Sequence, residues 1–252
     1  MTITFREMLA QKNHTPIGAF VKIPSAESIE ILALAGYDFI VIDGEHAPLS
    51  VRDIDNMMLV ARFCDMPPLV RIADHGYGDV QRILDAGAAG ILVPHVSTAE
   101  AANKVVRQMM HPPHGTRGAG GGMRAAGFGL SAEWRDRYGN LDDVMRIPMV
   151  EEKLAVDNIE EILATPGISA IFIGPGDLSM SMGLKPSDPE VQEAVETAFK
   201  AAKAANVLVS HITGDAAGAK RLIDHGYDFI MVGNDIGLLG KAASNLIKDI
   251  HG

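Results

Sequence analysis

The pentapeptide Gly36-Tyr37-Asp38-Phe39-Ile40 recurs letter for letter at Gly226-Tyr227-Asp228-Phe229-Ile230. In both copies a helix-like segment precedes the glycine and an apolar run follows it, Val41-Ile42 in the first and Met231-Val232 in the second. A looser third copy is Leu84-Asp85-Ala86-Gly87-Ala88-Ala89-Gly90-Ile91-Leu92-Val93. The glycine suits a helix C-cap, where a left-handed backbone carries no Cβ penalty. The apolar run suits a strand buried on both faces. A helix, a glycine stop and a two-sided apolar strand, repeated, describe alternating β and α units on a parallel sheet.

Eight stretches read as strands: 17–23, 39–44, 68–72, 90–95, 146–151, 170–174, 207–212 and 229–233. Helical patterns separate them, among them 26–35, 51–63 and 189–205. Eight β/α units in 252 residues fit an α/β (β/α)8 TIM barrel, with 1–252 as a single domain. A doubly wound sheet is the competitor, but no Gly-x-Gly-x-x-Gly follows the first strand.

Composition narrows the setting. Apolar residues make up 47% and charged residues 21%, as in ordinary globular proteins. No apolar run approaches the roughly 20 residues of a membrane-spanning helix, and the amino terminus lacks signal-peptide order. Cys64 stands alone, so no internal disulfide can form and a cytoplasmic location is expected. It reads as a small hydrophobe rather than a nucleophile. A formal charge of −10 leaves no basic stripe for nucleic acid.

In a barrel, reactive groups sit at the carboxyl ends of strands. Those ends hold Asp43, Glu45 and His46, then Arg71, His95, Glu151, Asp177, His211, and Asn234 with Asp235. Two carboxylates from adjacent strands, Glu151 and Asp177, suit a hard divalent ion such as Mg²⁺ or Mn²⁺; capping the following helices is the other reading of them. His46 carries an imidazole at a strand end, which could act as a base or serve structurally. Arg71 offers a permanent cation for a carboxylate or enolate, or for a structural acid. His95 and His211 read as structural. Lys22 is the Schiff-base candidate, with a place on the sheet surface the simpler reading; Lys153 follows Glu151 by two. A long insertion between the fourth and fifth strands, 111–146, holds the run Gly115-Thr116-Arg117-Gly118-Ala119-Gly120-Gly121-Gly122. It reads as a cover for the site, with Arg117 and Arg124 as anion contacts, or as a linker. No Gly-Lys-Ser/Thr follows, so it is not a phosphate loop.

Together these segments resemble the HpcH/HpaI aldolases, metal-dependent class II pyruvate aldolases of the phosphoenolpyruvate/pyruvate barrel superfamily. The resemblance is carried by Ile42-Asp-Gly-Glu-His-Ala-Pro48, Leu92-Val-Pro94, Pro112-Pro-His-Gly-Thr-Arg-Gly118, Val150-Glu151, Asp157-Asn158 and Phe172-Ile-Gly-Pro-Gly-Asp-Leu-Ser179. It implies an aldolase that cleaves 4-hydroxy-2-oxo acids to pyruvate and an aldehyde. It assigns Glu151 and Asp177 to a divalent metal, Mg²⁺ or Mn²⁺ with Co²⁺ or Zn²⁺ as other candidates. His46 becomes the base, Asp85 the acid that raises its proton affinity, and Arg71 the stabiliser of negative charge on the pyruvate oxygen. The Gly176 and Asp177 amides would hold the pyruvyl carboxylate, and Asp43 and Glu45 would support the site from behind.

The chain departs from that pattern at Met149, where many relatives carry a substrate-touching glutamine, and over 124–129. Relatives assemble as hexamers through the last helix. Here Leu238, Leu239, Ala242, Leu246 and Ile250 form an apolar helical face that a neighbouring subunit, or the chain's own barrel, could cover. An acyl-CoA- or oxaloacetate-using lyase or synthase of the same superfamily is the alternative activity, although the acidic chain shows no basic cluster for CoA phosphates. A non-catalytic binding protein on the same scaffold is the reading from another class.

Overall fold

The computed structural model describes residues 3–130 and 144–251, so residues 131–143 of the long insertion lie outside it. The chain opens with α1 (Phe5–Gln11) and β1 (Ile17–Val21), then α2 (Ala26–Leu34), β2 (Phe39–Asp43), α3 (Val51–Phe63), β3 (Pro68–Arg71), α4 (Tyr77–Ala86), β4 (Gly90–Val93) and α5 (Ala99–Met109). A 3₁₀ segment, Arg124–Gly129, leads towards β5 (Met145–Val150). The second half comprises α6 (Lys153–Asp157), α7 (Ile159–Leu163), β6 (Ala170–Ile173), α8 (Pro175–Ser181), α9 (Pro189–Ala204), β7 (Leu208–Thr213), α10 (Ala216–His225), β8 (Phe229–Asn234) and α11 (Asp235–His251). The strands close in sequence order into a parallel barrel with helices outside, the TIM architecture expected.

The repeated pentapeptide explains how the barrel is braced. Gly87 and Gly226 end α4 and α10 in left-handed conformation, at φ 101° and 98°. Each repeat aspartate ties its strand to the one before: Asp38 Oδ2 accepts from the Ile17 amide at 2.9 Å, and Asp228 Oδ2 from the Val209 amide at 2.8 Å. A lysine neutralises each, Lys12 and Lys203. The repeat phenylalanines, Phe39 and Phe229, point into the barrel. There α1 plugs the amino-terminal end with Phe5, whose ring meets theirs edge-on at 5.0 and 5.2 Å. Phe20, Leu69, Leu92, Ile147, Met149 and Phe172 continue this inner core, and the outer strand faces pack against the helices.

The strand ends shift from expectation by one or two residues. β1 stops at Val21 because the amides of Lys22 and Ile23 turn to the carboxylate of Asp235, which also accepts from Ser28 Oγ and the Ile236 amide. Asp235 therefore seals the junction between the last and first barrel units. The terminal helix α11 does not bury its apolar face on the barrel: Ile236, Leu239, Leu246, Ile247 and Ile250 are each more than half exposed.

Candidate active site

The carboxyl ends of β1 to β6 bring one connected set of charges over the barrel mouth. β2 and β3 pair Asp43 directly with Arg71 in register. Gly44 then hugs β3, its amide donating to the Arg71 carbonyl at 2.8 Å, and a Cβ there would lie 2.7 Å from that oxygen. Only glycine permits this approach, and it swings Glu45 and His46 out over the mouth.

Asp43 is fully buried. It accepts from Arg71 Nε at 3.0 Å and Nη2 at 2.7 Å, and from the His46 amide at 3.1 Å; Lys22 Nζ lies 3.1 Å away. Burial alone would raise its pKa, but Arg71, the His46 amide and Lys22 outweigh that and hold it below the usual aspartate range. Lys22 therefore points into the mouth, not onto the sheet surface as expected.

Arg71 is buried over the Phe20 ring, its guanidinium carbon 4.9 Å from the centroid. Nη1 reaches Glu45 Oε2 at 3.0 Å; the pair is not aligned as a hydrogen bond, so that buried oxygen lacks a hydrogen-bond partner. Both candidate imidazoles flank the same carboxylate, His46 Nε2 at 3.9 Å from Oε2 and His95 Nε2 at 3.5 Å from Oε1.

Glu151, one residue beyond β5, is 2% exposed. The His95 amide donates to its Oε1 at 2.8 Å. Burial first, then Glu45 and Asp177, push its pKa up against the opposing pull of His95. Oε2 faces Gly174, where an added Cβ would come within 3.4 Å. Neither expected metal ligand is a helix N-cap: Gly174 caps α8, with Asp177 inside its first turn, and Glu152 occupies the cap position of α6. Asp177 is exposed at the mouth, and a Cβ on Gly176 would meet nothing within 4 Å.

The set fits a divalent ion through its chemistry. A buried carboxyl with a raised pKa, facing two further carboxylates, gains most from a hard cation. Among the described residues no group of three or more His, Cys, Asp or Glu side chains forms a metal-ligand cluster. An ion held by Glu151 and Asp177 would keep its remaining positions for water and substrate.

His95 is the residue that sequence reasoning underrated. It takes a left-handed backbone at φ 55° after β4, and its half-exposed ring stands among Glu45, Glu151 and Glu152. Burial lowers its pKa, but Glu151, Glu152 and Glu45 together raise it above the ordinary histidine value. The departure from strand geometry aims the ring inward, and no spacing rule signals that.

Other expected residues lie elsewhere. Asp85 gives one oxygen to Arg117 Nη2 at 2.9 Å and the other to Gln81 Nε2 at 2.9 Å, so the expected His46–Asp85 pair is not made within this chain. Arg117 is buried as that anchor, while Arg124 stacks on Phe128. Met149 packs in the inner core with Phe20 and Phe172. His211 belongs to an outer aromatic cluster with Tyr227, and burial lowers its pKa.

Residues 16–242 match the family model described as HpcH/HpaI aldolase/citrate lyase. The chain is 36% identical over 248 residues to the hydroxypyruvate/pyruvate aldolase of Chromohalobacter salexigens, covering 94% of each chain. It is 35% identical over 246 residues to the 4-hydroxy-2-oxovalerate aldolase of Rhodococcus jostii, covering 96% and 94%. The crystal structure of an HpcH/HpaI aldolase/citrate lyase family protein from Burkholderia cenocepacia superposes with a TM-score of 0.91 at 32% identity, covering 98% of both chains.

Proposed function

This chain belongs to the HpcH/HpaI aldolase/citrate lyase family, and on that premise we propose a divalent-metal-dependent cleavage of 4-hydroxy-2-oxo acids to pyruvate and an aldehyde, with the reverse condensation. It is an aldolase, a carbon–carbon lyase. The observation that carries the metal-dependent reading is the buried Glu151 carboxyl, raised in pKa beside Glu45 and Asp177.

Glu151 and Asp177 would hold the cation, Mg²⁺ or Mn²⁺ by their oxygen chemistry. When bound, it would polarise the 2-oxo group as a Lewis acid. The amides of Gly176 and Asp177, both exposed residues, would orient the pyruvyl carboxylate. Arg71, clamped by Asp43, would place a fixed positive charge where negative charge grows on the substrate oxygen as the C3–C4 bond breaks. His46 would take the C4 hydroxyl proton, and its open position leaves room for a bridging water. Asp85, held by Arg117 in the single chain, would be the acid that raises the proton affinity of His46.

The exposed apolar face of α11 supports a homo-oligomer, a hexamer by family resemblance, in which copies of this chain cover that helix. No helix among the described residues is long and apolar enough to cross a membrane.

The test is pyruvate condensation with a panel of aldehydes in Mg²⁺, Mn²⁺ or excess EDTA. Product lost in EDTA and restored by metal is expected. Turnover indifferent to EDTA would redirect attention to Lys22; no turnover with any aldehyde would favour the acyl-CoA lyase reading.

A further inference from the structure

The aldehyde partner is undecided by kinship, since the relatives named above differ in substrate. The mouth itself holds a group without a task in the reaction. Nδ1 of His95 lies 3.1 Å from Glu152 Oε1, and the other oxygen of Glu152 is held by the buried hydroxyl of Ser97. This Ser97–Glu152–His95 relay fixes the azimuth of the imidazole and leaves Nε2 as its free edge. That edge faces Glu45 Oε1 across 3.5 Å, too far and too poorly aligned for a hydrogen bond. Glu45 Oε2, on the far side, is buried against Arg71 Nη1 at 3.0 Å, an ion pair not aligned as a hydrogen bond. The gap therefore opens between an oriented imidazole edge and Oε1, the Glu45 oxygen turned away from Arg71. It adjoins Glu151, whose Oε1 is 3.5 Å from the same ring, and lies on the side of Glu45 away from His46.

A hydroxyl is the group that completes this pairing. With Nε2 protonated it accepts from the ring and donates to Glu45; with Nε2 bare it donates to either acceptor. An alkyl chain does neither, and displaces water from both groups. We propose that His95 and Glu45 form a subsite for a hydroxyl on the aldehyde, making this chain selective for α-hydroxyaldehydes over aliphatic ones. The inference rests on the aldolase reading above. His95 is then a specificity residue, with Glu152 and Ser97 positioning it.

The experiment compares kcat/KM for pyruvate condensation with glycolaldehyde and with propanal. The decisive quantity is how their ratio changes from wild type to variant, because the two aldehydes differ in intrinsic reactivity. His95→Phe should lower the glycolaldehyde-to-propanal ratio by about 10-fold, chiefly through KM for glycolaldehyde, the loss expected for a half-exposed polar contact. His95→Gln, which keeps a donor and an acceptor, should restore much of it. If His95→Phe does not fold, Ser97→Ala, which frees Glu152, should lower the same ratio less steeply. Equal losses with both aldehydes, leaving the ratio at its wild-type value, would overturn the subsite while the aldolase reading stands. No turnover of either aldehyde by the wild-type chain would overturn both.

Discussion

Arg71 grips Asp43 through two parallel hydrogen bonds, Nε to Oδ1 at 3.0 Å and Nη2 to Oδ2 at 2.7 Å, while its remaining nitrogen reaches Glu45. The guanidinium is thus immobilised by a fork that a lysine ammonium cannot reproduce. Arg71→Lys keeps the charge but loses the geometry. It should lower kcat for aldol cleavage by about 100-fold, the scale of a lost charge-stabilising donor, with a smaller change in KM. Steady-state kinetics on the variant decide it; a loss confined to KM would remove Arg71 from the charge-stabilising role.

His46 stands at the mouth, its nearest ionic neighbour being Glu45 at 3.9 Å. A group that moves a proton without holding the substrate should affect turnover more than binding. His46→Ala is expected to depress cleavage by roughly 10²- to 10⁴-fold while pyruvate affinity, read by calorimetry with Mg²⁺ present, shifts little. Equal losses in both would count against the base role.

Asp43 makes a pH prediction with a definite sign. Its native pKa is depressed, so its contribution to stability is present above the ordinary aspartate range and is lost as pH falls through the native value. The difference in urea midpoint between wild type and Asp43→Asn should be largest near neutrality and shrink below about pH 4. A difference that widens in acid would reverse the sign assigned to Asp43.

Phe5 closes the amino-terminal end of the barrel between Phe39 and Phe229 and is wholly buried. Phe5→Ala removes a ring from a packed plug and should cost about 3–5 kcal/mol in chemical denaturation. Because the plug lies opposite the mouth, kcat of the folded fraction should change little.

On α11, Leu239, Leu246 and Ile250 are exposed in the single chain. If copies cover this face, light scattering should give a mass well above the 26.8 kDa of one chain, and Leu246→Asp should reduce it. A wild-type monomer would leave the helix without the proposed cover.

Much of this was legible in the residues alone, because it rests on local rules. A glycine stop, a two-sided apolar run and their recurrence are short-range patterns, and closure into a barrel follows when eight such units must bury both strand faces and both sheet edges. The strand-end positions of Asp43, Arg71, Glu151 and Asp177 were readable for the same reason. The repeat even carried its bracing: the same aspartate in each copy takes the same kind of amide.

What needed the folded molecule was which distant groups meet. Lys22 and Asp43 converge because β1 pairs with β2 in a register that sets their carboxyl ends side by side. His95 joins Glu45, Glu151 and Glu152 through a left-handed residue that no periodicity announces. Asp85 engages Arg117 from the insertion, a pairing across 32 residues that no local pattern announces. The apolar face of α11 was visible as a pattern, but that the chain's own barrel leaves it bare depended on where the helix leaves the eighth strand. Periodicity reports whether a side chain is buried; its partner is set by register, closure and reach, which are properties of the assembled barrel.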